Sequence, residues 1–117
     1  MKLAINLHDI PVSAHFINDR KERKNRIDTI LGDDWGNIES AYFGPYDKTW
    51  HILTDNGLIF IVSEDMQCIV TYFFATMEQA QVICKKSCSK RVAKKIEKNQ
   101  RKYQKLYNEI IGKYTTC

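Results

Sequence analysis

Thr49-Trp50-His51-Ile52-Leu53-Thr54 and Leu58-Ile59-Phe60-Ile61-Val62 are two β-rich runs joined by Asp55-Asn56-Gly57. Asn-Gly readily takes the positive φ angles of a tight turn, so this stretch predicts a hairpin. A third run, Cys68-Ile69-Val70-Thr71-Tyr72-Phe73-Phe74, follows the turn signal Ser63-Glu64-Asp65. It is apolar at nearly every position, the pattern of a central strand covered on both faces. A meander therefore forms the middle of the fold, and the flanks must supply what covers it.

On the N-terminal side, Leu3-Ala4-Ile5-Asn6-Leu7 reads as a short strand or an extended lead-in that Pro11 ends. Ser13 is suited to cap a helix running to about Leu31, which Gly32-Asp33-Asp34 closes, with Gly32 at the left-handed position. A segment from Trp35 to Phe43 leads into the turn signal Gly44-Pro45-Tyr46-Asp47. On the C-terminal side, Thr76-Met77-Glu78-Gln79 has the form of a capping box. The helix it opens carries Ala80, Val82, Ile83 and Cys84. A second or continuing helix carries Val92, Ile96, Tyr103, Leu106, Tyr107, Ile110, Ile111 and Tyr114. This order predicts an α+β fold: an N-terminal helix packed on a three- to four-stranded antiparallel meander, then one or two C-terminal helices, the last long and basic.

With 117 residues the chain fits one domain, read as an α+β body over 1–84 and a basic amphipathic helix over 85–117, docked or projecting. Its 44% hydrophobic and 27% charged residues are those of an ordinary globular protein. No stretch approaches the roughly 18 apolar residues of a membrane span, and the opening lacks an apolar run fit for a secretory signal. The expected location is the cytoplasm, with Cys68, Cys84, Cys88 and Cys117 as reduced thiols. Cys84 and Cys88 are spaced to share a helix face, but no histidine lies near them, so neither a metal site nor a cofactor is expected.

Charge is distributed unevenly. Between Lys85 and Lys105 stand ten basic residues and one acid, Glu97, a local balance of +9; with +4 for the whole chain, the remainder carries −5. The cations are Lys85, Lys86, Lys90, Arg91, Lys94, Lys95, Lys98, Arg101, Lys102 and Lys105. Such a helix can be a solvated face whose apolar edge packs on the body. The acids that would balance it in i,i+4 pairs are nearly absent, however, and like charges at that spacing cost stability. The stretch is therefore assigned to contact with a nucleic acid, which would be sequence-independent and salt-sensitive. An anionic membrane surface ranks below this, because the apolar edge lacks tryptophan and is thin in its basic half. Self-association through Val92, Ile96, Tyr103 and Ile110, giving a homodimer, is the remaining alternative.

On a helical wheel, Phe16, Ile27, Ile30 and Leu31 form the stripe of the first helix, and Arg20 and Arg23 fall on it. Either both guanidinium groups snorkel outward or pair with acids of the sheet, or the stripe borders a cleft where two fixed cations meet phosphate. His15 lies at the stripe's edge and His51 shares a strand face with Thr49 and Leu53. Were the helix to pack on that face, His51, Arg20 and Arg23 would converge. They would then offer proton transfer near neutral pH and a cation for a pentavalent phosphate.

Ser13-Ala14-His15-Phe16 followed by Arg20 and Arg23, the hairpin Lys48–Val62, and Ile69-Val70-Thr71-Tyr72 with Ala75-Thr76 resemble a known set of proteins. The stretch from about Val12 to Ala80 is similar to the barnase–EndoU–colicin–RelE superfamily of metal-independent ribonucleases, in the variants carried by phages and mobile elements. That resemblance implies a helix on a meander, with His15, Arg20 and Arg23 from the helix and His51, Thr54 or Thr71 from the sheet as catalytic candidates. RNA is then the first expected partner. The second reading is a non-catalytic binder, either a nucleic-acid adaptor or an anti-CRISPR-like inhibitor of a host nucleoprotein complex.

Overall fold

The computed structural model describes residues 5–85 and 89–115, with the side chains of the last helix as far as 106 and at 108. Four strands, β1 (Ile38–Gly44), β2 (Thr49–Thr54), β3 (Leu58–Ser63) and β4 (Ile69–Phe74), form one sheet in the order β1-β2-β3-β4. Every neighbouring pair is antiparallel. Asp55-Asn56-Gly57 joins β2 to β3 in the hairpin the sequence predicts, although of the Asn-Gly pair only the glycine has a positive φ. Gly57 takes φ 80° and donates its N–H to the Thr54 carbonyl at 3.0 Å. The segment after Trp35 supplies the fourth strand, β1.

Alternation along the strands feeds two separate cores. One face presents Ile52, Leu58, Phe60, Val62, Ile69 and Tyr72 to Leu7, Ile10, Phe16 and Ile27. The opposite face presents Leu53 and Ile59 to Ala75, Ala80, Ile83, Val92 and Ile96. The domain is thus three layers: α1 (Ala14–Asp19) and α2 (Lys21–Leu31), then the sheet, then α3 (Met77–Cys84) and the start of α4 (Lys90–Thr115). The α+β class, the flanking helices and the long last helix are those the sequence predicts.

Three expectations are corrected. The helix expected from Ser13 to Leu31 is two helices, broken at Arg20 (φ −123°, ψ 33°). Ser13 does cap α1, accepting the Phe16 N–H at 3.1 Å, and it also ties α1 to the outer edge of β4. There the Ser13 N–H donates to the Ile69 carbonyl at 2.9 Å and its hydroxyl to the Val70 carbonyl at 3.1 Å. The chain bends at Arg20, between that anchor and the buried Ile27 of α2. Second, the run Cys68–Phe74 is not central, because β4 is an edge strand. It is apolar on both sides because helices cover both its faces, while residues 11–13 lie along its free edge through Ile69. Third, the expected strand or extended lead-in ends one residue early: Asn6 is extended, Leu7 already opens a single 3-10 turn over Leu7–Asp9, and Leu3 and Ala4 lie outside the described residues.

The last helix docks. Val92 and Ile96 are fully buried against Leu53 and Ile59. Asn99 follows on the same side, its amide donating to the Asn56 carbonyl at 2.7 Å. Val92 and Ile96, two of the residues expected at a homodimer seam, are thus buried within the chain. No helix among the described residues is long and apolar enough to cross a membrane.

Candidate nucleic-acid interface

The burial of α4 fixes where its charges point. Val92, Ile96 and Asn99 are buried and Tyr103 and Leu106 half-buried, an i, i+4, i+7 pattern that pins one narrow side of the helix to the body. At about 100° per residue, Lys90, Arg91, Lys94, Lys95, Lys98, Arg101, Lys102 and Lys105 then fall on an arc of about 140° beside the buried side. Ala93, Glu97, Gln100 and Gln104 occupy the opposite flank. All eight cations except Lys95 are exposed. From Arg91 to Lys105 the row rises about 21 Å along the helix.

Among the described residues, Arg91 is the one member of this arc with a carboxylate in ion-pair range, Glu39 at 3.8 Å and Asp55 at 3.6 Å. Two shallow grooves flank the row. One, of about 300 Å³, lies between Asp55-Asn56 of the hairpin turn and Arg91, Lys94, Lys95 and Lys98. The other, of about 320 Å³, lies between Thr29 and Ile30 of α2 and Lys102, Lys105 and Leu106. Of the two remaining predicted cations, Lys85 reaches over the Tyr42 ring at 5.9 Å, away from the row, and Lys86 lies outside the described residues.

The six catalytic candidates do not form one site. α1 and α2 pack on the Ile52 face, whereas His51 stands opposite Tyr42 and Ile61 on the other face, so the sheet separates His15 from His51. His15 is 79% exposed and pairs with Asp19 at 2.8 Å, one turn along its own helix. Arg20, at the break, is exposed and has left the stripe. Thr54 is completely buried, and its hydroxyl accepts the Leu58 N–H at 3.3 Å inside the hairpin. One contact does unite predicted residues: Arg23 Nη1 donates to the Thr71 hydroxyl at 3.3 Å.

His51 has company that the sequence reading missed. Its Nε2 lies 3.2 Å from Asp47 Oδ2 and 3.4 Å from the Thr49 hydroxyl. Gly44 makes this possible, because a Cβ there would sit 2.5 Å from Asp47 and 2.9 Å from His51. Hydrogen bonding from the Thr49 side chain, then from its backbone N–H and from His51, holds the Asp47 carboxyl below the usual carboxylate range. Asp47 and His51 meet across a reverse turn, and no helical or strand periodicity signals such a pair. Phe73, Gln100 and Tyr103, which line one cleft with Arg23, were also missed.

The molecule these features define is a three-layer α+β domain that carries a docked helix with one basic flank. Comparison with protein-family models, with curated proteins and with solved structures finds no match for this chain.

Proposed function

We propose that this protein binds nucleic acid, RNA first, through the basic flank of α4. The observation that carries the reading is the segregation of eight cations on one arc of a docked helix, with a single carboxylate-paired member among them. A solvated lysine-rich helix has no need to exclude acids from one flank. A polyanion lying along it relieves the like-charge repulsion and releases counterions in doing so. The resemblance of the Val12–Ala80 stretch to small ribonucleases belongs to this proposal as a nucleic-acid-binding scaffold. Binding to free RNA and binding to the RNA of a host nucleoprotein complex use the same surface.

A second reading, metal-independent cleavage of RNA, is favoured by His51 alone. It sits beside Asp47 and Thr49 and on the same cross-strand row as Ile61 and Thr71, the residue that holds Arg23. His15 has no part in this version.

Both readings meet in one experiment: fluorescence anisotropy with labelled RNA in EDTA over a range of salt, with a gel to score cleavage. For four to six phosphate contacts to a single strand, log K falls against log salt with a slope of about −3 to −4. Lys94→Glu/Lys98→Glu/Arg101→Glu is expected to weaken binding at least tenfold and flatten that slope. Binding indifferent to salt and to the triple substitution overturns the proposal. Cleavage lost in His51→Ala and kept in His15→Ala establishes the second reading.

A further inference from the structure

Three of the cations of α2 are half-buried, and two of them have a carboxylate. Lys24 pairs with Asp28 at 2.8 Å, and Arg26 reaches Glu22 at 3.4 Å and the Tyr103 hydroxyl at 3.1 Å. The third, Arg23, has neutral partners among the described residues: the Thr71 hydroxyl, and the Phe73 ring with the guanidinium carbon 6.0 Å from its centroid. A half-buried guanidinium with only neutral neighbours keeps its full charge and further N–H donors for an anion.

Arg23 stands at a cleft of about 160 Å³ between α2, the end of β4 and α4, lined also by Ile27, Phe73, Phe74, Gln100 and Tyr103. Pockets for drug-sized ligands run to about 300–1,000 Å³, so this one suits a single ring system. Three half-buried aromatic residues surround it, with Phe74 and Tyr103 edge-on at 6.1 Å. Gln100 donates through Nε2 to the Ala75 carbonyl at 3.1 Å, which holds its amide in place and leaves the amide oxygen without a partner among the described residues. A flat ring, a hydrogen-bonding edge and an anion are together what the cleft accommodates, and a nucleotide combines them.

We propose that this cleft is a subsite for one nucleotide of a single strand, the base against Phe73 and Tyr103 and its phosphate on Arg23. The inference rests on the nucleic-acid reading and deepens it, since phosphate contacts along α4 are indifferent to bases while a stacking subsite requires one. Gln104 lies on the flank of α4 between the cleft and Arg101, the member of the basic row nearest it. A strand leaving the row crosses a helix about 10–12 Å wide to reach the cleft.

The test compares the full-length protein's affinity for an oligouridine with that for an abasic oligomer of the same length. The wild type is expected to prefer the oligouridine about tenfold. Phe73→Leu removes that preference and leaves abasic binding and the oligouridine salt slope as they were. Arg23→Gln lowers the oligouridine slope by about 0.7, the loss of one single-strand phosphate contact. Equal wild-type affinity for the two oligomers overturns the subsite while leaving the α4 reading intact, and it needs no variant to fold. Absence of binding to either oligomer overturns both. Displacement of the oligouridine by a phosphotyrosine peptide more effectively than by uridine monophosphate overturns the assignment in favour of a peptide ligand.

Discussion

At the scale of single residues, Tyr72 shows how burial alters chemistry without any role in a site. It lies at the centre of the larger core, stacked near Phe60 at 4.9 Å and tilted against Phe16 at 4.8 Å. Burial, with the nearby Asp28 carboxylate adding to it, pushes its phenol up to about 12. The unfolded chain releases that proton near pH 10, whereas the folded chain holds it. Between these values the native state binds more protons, and stability falls as pH rises from about 10 to 12. Tyr72→Phe is therefore expected to lose less stability than the wild type between pH 9 and 11, read from urea midpoints at each pH. An identical decline in both proteins would place the alkaline loss elsewhere. Gly57 and Asn99 carry the same lesson in steric form. Gly57 needs its positive φ, and a Cβ there would stand 2.8 Å from the Asn99 amide, so the tight turn and the docked helix approach closely at this glycine. The Asn-Gly pair announced the turn in sequence. That the glycine also clears room for a helix residue far along the chain was not legible, because it is a contact between elements.

At the scale of elements, local rules read well wherever a helix end or a turn is decided by near neighbours. Thr76 and Gln79 form the full capping box of α3, each side chain bonding the other's backbone N–H, at 3.2 and 3.0 Å. Ser13 caps α1 and Gly32 ends α2 with φ 64°, as their positions predict. The break at Arg20 carries no proline or glycine to mark it; it lies between the tether of Ser13 to β4 and the burial of Ile27, both contacts with distant segments. For α4, like charges at i,i+3 and i,i+4 recur from Arg91 to Lys105, each such pair destabilising by about 0.2–0.5 kcal/mol. Raising sodium chloride from about 0.05 to about 0.5 M shortens the Debye length several-fold. It is therefore expected to raise the thermal midpoint by about 4 °C, followed by far-ultraviolet circular dichroism. A midpoint that falls with salt would mean that attraction between α4 and the acidic body, as in Arg91 with Glu39 and Asp55, outweighs repulsion within the row.

At the scale of the whole molecule, the sheet separates two cores, and α4 belongs to one of them. Ile96 is 2% exposed and lies against Gly57 and the Leu53–Ile59 face. Ile96→Ala is expected to cost about 2–5 kcal/mol in urea unfolding, the range for truncating a buried isoleucine. A cost below about 0.5 kcal/mol would mean that the helix projects and that its cations are not held in one plane. The same layering explains why the catalytic constellation expected from sequence does not assemble. His15 and His51 each sit where periodicity placed them, on a helix start and on a strand, but on opposite sides of the sheet.

Short-range patterns specify the hairpin at Asn56-Gly57, the caps at Ser13 and Thr76, the apolar side of α4 and the concentration of cations along it. These follow from φ preferences, hydrogen bonds a few residues long and the 3.6-residue period, all of which act within a short stretch of chain. The tertiary fold sets which sheet face each helix covers, that β4 is an edge, that His51 finds Asp47, and that Arg23 meets the Thr71 hydroxyl and the Phe73 ring of β4 instead of a histidine. Those outcomes depend on how two apolar faces are divided among helices separated by the whole length of the sheet. That division is settled by packing and burial between distant segments, which no local pattern records.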